Sequence, residues 1–164
     1  MIRLTLMAIA AMLLVIDQAD AHDYKLGTLS IDHPWARVTI ANRPAAGYMK
    51  IINHGDEPDR VVSASSPLAD RVELHTHTMI DGVMKMRPVG TIEVPAKGEV
   101  ELAPGGLHLM IMGLKEAPKP GEVLPVSVVF EQAGSIDLEF NVVEPREPSP
   151  APAMDHSTHG AAKP

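Results

Sequence analysis

The 164-residue sequence contains no cysteine and few aromatic residues, namely two Phe, two Tyr and one Trp. Without cysteine the chain can form no disulfide and offers no cysteine for an N-terminal lipid, so we expect folding to rest on its core alone. Basic residues are outnumbered, with 14 Lys and Arg against 21 Asp and Glu, and the net charge is −7. This balance offers no basic face for DNA or RNA, so nucleic acid is not an expected partner.

Long apolar runs are also missing beyond the N-terminus. A mostly apolar stretch at residues 4–16 follows Arg3 and precedes Ala19-Asp20-Ala21, a small-x-small pattern of the kind that signal peptidase cleaves. The stretch is shorter than the roughly 20 apolar residues of a membrane span, and no second candidate follows. We therefore predict a cleaved signal peptide at residues 1–21, export to the periplasm and no membrane span.

Residues 22–144 are enough for one domain with a single core. Apolar residues alternate with polar ones, as at Leu107, Leu109 and Ile111, and turn formers such as Asp81-Gly82 separate the runs. This pattern predicts an all-β antiparallel sandwich or barrel without helix. The expected strands are 27–32, 35–40, 46–53, 59–65, 70–79, 84–92, 98–103, 107–112, 123–131 and 134–143.

Residues 145–164 are rich in proline and poor in large apolar side chains. Such a composition cannot build a core, so we predict an extended, disordered C-terminal tail. The tail carries Met154, His156 and His159.

Ten methionines are unusual in a β protein, because strand interiors favour branched and aromatic side chains. Alternation explains part of this number. If Leu109 points into the core, then His108, Met110 and Met112 share the other face of their strand. By the same rule, Leu74 marks the core face of an earlier strand whose other face carries His75, His77 and Met79.

A two-residue turn at Asp81-Gly82 would fix the register of a β-hairpin. Met79 would then lie opposite Met84, and His77 opposite Met86. His75 would be diagonal to Met86, about 7–8 Å away by backbone, a distance that a flexible methionine and an imidazole can close around an ion. Both His75 and His77 are therefore candidate ligands.

The donor types indicate a metal. Thioether sulfur is a soft, neutral donor that binds Cu(I) well and divalent ions such as Zn(II) poorly, while imidazole binds copper in either oxidation state. The competing interpretation is structural: methionine often fills gaps in a core, and a histidine near a turn is often only solvated. A second sheet covering the methionines would support that interpretation, whereas an exposed methionine row would favour a ligand or a partner.

The spacing His75, ten residues, Met86, twenty-one residues, His108, one residue, Met110 resembles the copper motif of the PCuAC-type periplasmic copper chaperones. The resemblance extends over the mature domain. Segments similar to the family are His33-Pro34-Trp35-Ala36-Arg37, Val72-Glu73-Leu74-His75, Met84-Lys85-Met86-Arg87-Pro88 and Pro104-Gly105-Gly106-Leu107-His108-Leu109-Met110.

This resemblance implies a cupredoxin-like antiparallel β-sandwich or barrel with Greek-key character, acting as a copper chaperone and not as an enzyme. It implies Cu(I) held by His75, Met86, His108 and Met110. The implied recipient is the binuclear copper centre in subunit II of cytochrome c oxidase, with a Sco-type thiol protein as a further partner. The hairpin register favours His77 opposite Met86 instead, and a one-residue bulge near the turn would reconcile the two. His77 and Met112 stay open as further ligands.

Two further features concern copper. Cleavage after Ala21 would leave His22 at the N-terminus, where its amine and imidazole could chelate Cu(II) together. Met154, His156 and His159 could form an auxiliary copper site on the tail, because a tethered segment raises the local ligand concentration. The tail also motivates an alternative function, a buffering or resistance protein that sequesters copper. A blue-copper electron carrier is disfavoured because it needs a cysteine ligand.

Overall fold

The computed structural model describes residues 23–38, 43–80 and 83–144. Within these ranges the chain forms strands and no helix, which confirms the all-β prediction. The strands are β1 (Tyr24–Leu26), β2 (Leu29–Arg37), β3 (Ala45–Asn53), β4 (Asp59–Ser65), β5 (Arg71–Ile80), β6 (Val83–Pro88), β7 (Ile92–Val94), β8 (Glu99–Leu102), β9 (His108–Met112), β10 (Val123–Phe130) and β11 (Gly134–Val143). The predicted signal peptide and tail lie outside the described residues.

No helix in the described ranges is long and apolar enough to cross a membrane. The strands instead form a sheet that closes on itself. Its path runs β2-β11-β10-β4-β5-β9-β3, and β3 pairs with β2 again. Neighbouring strands are antiparallel, apart from the parallel pair β11–β2. Closure leaves few unpaired edges, which protects a β protein from edge-to-edge association.

The strand β1 was not predicted. Two further predictions divide the chain into strands wrongly, and proline explains both. The strands expected at 27–32 and 35–40 both overlap the single strand β2, where His33 adopts a φ of 49° and the register with β3 shifts beside Pro34. This irregularity accommodates a residue without an N–H group. The strand expected at 84–92 is two strands, because β6 ends at Pro88 and β7 pairs with β4 instead of β5.

The core follows the alternation expected from the sequence. Leu74, Leu109 and Ile111 are buried in one apolar cluster with residues of the other strands, including Phe140. Of the methionines in the described ranges, only Met49 belongs to this cluster. Among the methionines that the structure describes, the interpretation as core filler therefore holds for Met49 alone.

Leu109 and Met110 are neighbours on β9 that face opposite ways, so they form a matched pair for a stability test. Leu109→Ala removes a fully buried side chain and should lower the free energy of unfolding by roughly 2–5 kcal/mol. Met110→Ala should cost markedly less, because Met110 lies outside the core cluster. Urea denaturation of the metal-free protein measures both, and equal losses would contradict the assigned faces.

Candidate metal centre

The strands β5 and β9 lie side by side and set the register of the candidate centre. Residues on the same face alternate with core residues, so the pairs that do not enter the core share one face. These pairs are Arg71 with Met112, Glu73 with Met110, and His75 with His108. The rings of His75 and His108 lie with their centroids 5.8 Å apart.

The hairpin of β5 and β6 adds a third strand to this face. Its register runs without a shift from His75–Pro88 to Ile80–Val83 and places His77 opposite Met86. The register predicted from a two-residue turn is thus confirmed, although Asp81-Gly82 themselves lie outside the described residues. The prediction of a bulge near the turn is wrong, because every residue from His75 to Ile80 pairs with a residue of β6. His75 remains diagonal to Met86.

An open groove of about 370 Å³ lies on this face. Its small residues, such as Ala46 opposite Met110, leave space between the strands. The side chains of His75 and His108 are buried, with exposed fractions of 9% and 1%, whereas Met86 is 52% exposed. The groove is lined by Pro44, Ala45, Ala46, Tyr48, His77, Met86, His108 and Met110. Of the four expected ligands, Met86, His108 and Met110 thus line the groove, whereas His75 is buried beside His108 and is not part of the lining.

Hydrogen bonds fix which ring nitrogens are free. Nε2 of His75 donates to Oε2 of Glu73 at 2.9 Å, since a carboxylate oxygen only accepts. Nδ1 of His108 donates to the carbonyl of Gly106 at 3.0 Å. The other nitrogens, Nδ1 of His75 and Nε2 of His108, are buried without a partner among the described residues. Such buried polar atoms are rare, and here each carries a lone pair suited to a metal ion.

The charge state of His108 also suits a ligand. Burial has the largest effect on the pKa of His108 and lowers it. The hydrogen bond to Gly106 raises this pKa, and the nearby His77 and His75 lower it again. The net lowering favours the neutral imidazole, which is the form that binds metal.

The two open candidates, His77 and Met112, differ in their surroundings. The ring of His77 lies 4.8 Å from that of His108, between centroids, and His77 lines the groove. His77 is therefore placed to serve as an alternative or additional ligand. The sulfur of Met112 instead accepts a hydrogen bond from Nη2 of Arg71 at 3.4 Å. A guanidinium cation beside this sulfur opposes the binding of a second cation.

Glu73 contacts a candidate ligand and was not predicted from the sequence. Its carboxylate joins Nε2 of His75 to Nε of Arg71, at 2.9 and 3.0 Å. Alternation along β5 could have revealed it, because Glu73 is two residues from His75 and so shares its face. The carbonyl of Gly106 had no such signal, since its contact with His108 depends on the conformation of the preceding loop.

The described residues include no group of three or more His, Asp or Glu side chains arranged to hold a metal ion. The donor set expected from the sequence instead combines imidazoles with thioethers, and the groove lining includes side chains of both types. The predicted auxiliary ligands His22, Met154, His156 and His159 lie outside the described residues.

Comparison with known proteins identifies the family. The family model "Putative lipoprotein LpqE-like" matches residues 29–142. This chain belongs to the LpqE-like family, which is the PCuAC-type family. The resemblance inferred from the His and Met spacing is confirmed.

Individual relatives agree with this assignment. "Putative lipoprotein Lxx21020" from Leifsonia xyli subsp. xyli (strain CTCB07) is 28% identical over 108 residues, which are 65% of this chain and 64% of the relative. The chain thus spans less than two thirds of that curated relative.

Solved structures extend the comparison. The copper-bound PCuAC domain from PmoF2 is 29% identical with a TM-score of 0.65, and the match covers 76% of this chain and 99% of that domain. The solution structure of CuI-DR1885 from Deinococcus radiodurans is 29% identical with a TM-score of 0.50, covering 78% and 85%. The fold is therefore the expected cupredoxin-like β-sandwich.

The contact between Glu73 and His75 predicts a fixed tautomer. In the metal-free protein, His75 should carry its proton on Nε2, and Glu73→Leu should produce a mixture of tautomers because the acceptor is lost. Nitrogen-15 NMR of the imidazole ring measures this directly. Loss of such a partner should also weaken metal binding by roughly 10–100-fold.

Glu101→Leu is the matched control, because Glu101 is an exposed strand residue on β8 away from the groove. It should leave both the tautomer and the affinity unchanged. A His75 tautomer that is the same in Glu73→Leu as in the parent protein would refute the role of Glu73.

Proposed function

We propose that this protein is a periplasmic copper metallochaperone that binds Cu(I) through His75, Met86, His108 and Met110 and delivers it to the binuclear copper centre of cytochrome c oxidase. The observation that carries this proposal is the pair of buried ring nitrogens without partners, on the face that also presents Met86 and Met110. Relatives in the same family include a copper-bound PCuAC domain and a Cu(I)-bound protein, which support copper as the cargo.

The donor set favours Cu(I). Two imidazoles and two thioethers are all neutral and include soft sulfur, which suits Cu(I) better than harder divalent ions. A set without thiolate cannot be lost to disulfide formation in an oxidising compartment. Neutral ligands also hold the ion less tightly than cysteine would, so a recipient with cysteine ligands can take it over.

The asymmetry of the site suits delivery. His75 and His108 are buried and fixed by hydrogen bonds, whereas Met86 is half exposed on β6. A recipient can therefore reach the copper from the Met86 side by replacing that thioether first. We propose subunit II of the oxidase as the recipient and a Sco-type thiol protein as a further partner.

The ligand assignment predicts different effects for two methionines on the same face of β9. Met110→Leu should weaken Cu(I) binding by at least about tenfold, because it removes a direct ligand and not merely an outer-shell partner. Met112→Leu is the matched control and should leave the affinity unchanged, since the sulfur of Met112 is held by Arg71. Competition titration against a Cu(I) chelator measures both.

The same titration separates His75 from His77. His75→Ala should weaken binding at least as strongly as Met110→Ala, and His77→Ala should weaken it less. The reverse order would replace His75 by His77 in the ligand set. Tight Cu(I) binding that survives the joint replacement of His75, Met86, His108 and Met110 by alanine would refute the site itself.

Deletion of the gene tests delivery. We expect loss of cytochrome c oxidase activity that added copper restores, because a chaperone becomes dispensable when its cargo is abundant. The parent gene should restore activity without added copper, and a variant lacking the four ligands should not. Copper sensitivity with normal oxidase activity would instead support the buffering function.

A further inference from the structure

We propose that Met79 and Met84 form a second, exposed Cu(I) site on the β5–β6 hairpin, through which copper enters and leaves the main site. This inference rests on the proposed copper-binding function and extends it. The register places Met79 opposite Met84, two residue pairs further along the hairpin than His77 and Met86. Pairs two residues apart share a face, so all four side chains lie in one row.

The exposure of this row argues against a structural role. Met79, Met84 and Met86 are 64%, 55% and 52% exposed, and none of them belongs to the apolar core cluster. The intervening residues of β6, Lys85 and Arg87, are exposed as well. The hairpin thus buries neither face of β6, and its methionines are not needed to fill a core.

The chemistry of the row argues for a metal ion over a general apolar contact. Every member of it is a soft thioether or an imidazole, and the inner pair, His77 and Met86, lines the groove of the main site. Residues facing each other across antiparallel strands have Cβ atoms about 4.5–5.5 Å apart, so two methionine sulfurs can bind one ion between them. Two thioethers suffice for weak binding of Cu(I), which accepts low coordination numbers.

The distances also allow transfer by ligand exchange. Two residues along an antiparallel strand are a step of about 7 Å, which flexible methionine side chains can bridge. Copper would pass from Met79 and Met84 to His77 and Met86, and then to the buried imidazoles. It stays Cu(I) throughout, and all donors are neutral, so no electron or proton is transferred.

Methionine methyl NMR of the full chain tests this proposal. The protein, labelled with carbon-13 at the methionine methyl groups, is titrated with Cu(I) under anaerobic conditions, and each signal is assigned by its Met→Leu variant. The first equivalent should shift Met86 and Met110, and the second should shift Met79 and Met84. Met49 is 2% exposed in the core and serves as an internal control that should not move.

Two variants separate this proposal from the function on which it rests. His75→Ala/His108→Ala should abolish the response of Met110 to the first equivalent and keep the shifts of Met79 and Met84. Met79→Leu/Met84→Leu should keep the first-equivalent response and slow the filling of the main site several-fold in stopped-flow mixing. Signals of Met79 and Met84 that stay unmoved through two equivalents, or an unchanged filling rate, would overturn the second site.

Discussion

The pairing of β9 with β5 on one side and β3 on the other is the constraint on which the rest of the structure depends. The three central residues of β9 have partners on both sides, as Leu109 has Leu74 and Gly47, so the strand cannot slip by one residue. A slip would turn Leu109 out of the core and His108 into it. The core and the candidate metal centre therefore lie on opposite faces of the same strands, and the same backbone hydrogen bonds fix both.

That rigidity is distributed unevenly over the candidate metal-binding face. The imidazoles of His75 and His108 are buried between paired strands, and each is oriented by a hydrogen bond. The strand β6 pairs only with β5, and its methionine side chains are exposed. A chaperone needs both properties, because the ion must find a formed site and must also leave it. Burial provides the first, and flexible, solvent-exposed thioethers provide the second.

The hydrogen-bond partners of His75 and His108 determine which ring nitrogen of each remains free. Glu73 and the carbonyl of Gly106 select opposite ring nitrogens on His75 and His108 for their hydrogen bonds. The remaining nitrogens are the ones left without partners. Arg71 acts at the margin of the face, where it bonds both Glu73 and the sulfur of Met112. The guanidinium of Arg71 thus contacts both the hydrogen-bond partner of His75 and the sulfur of Met112.

Much of the fold could be predicted because β structure has a short period. Alternation around Leu74 and Leu109 was enough to separate the core face of β5 and β9 from the face that carries the candidate ligands. The two-residue turn predicted the pairing of His77 with Met86. The errors occurred at Pro34 and Pro88, where a strand can either bend or end. Local sequence could not decide between these outcomes, because they depend on whether a distant strand such as β3 continues the pairing.

The sequence by itself determined the candidate donor set, the spacing of the four proposed ligands and the register of the hairpin, since these depend on residue identity and on local turn geometry. It could not decide how deeply each donor is buried or which ring nitrogen is free. Those properties arise when β5, β9 and β3 come together from distant parts of the chain. Only the tertiary structure therefore separated a buried imidazole pair from an exposed row of methionines.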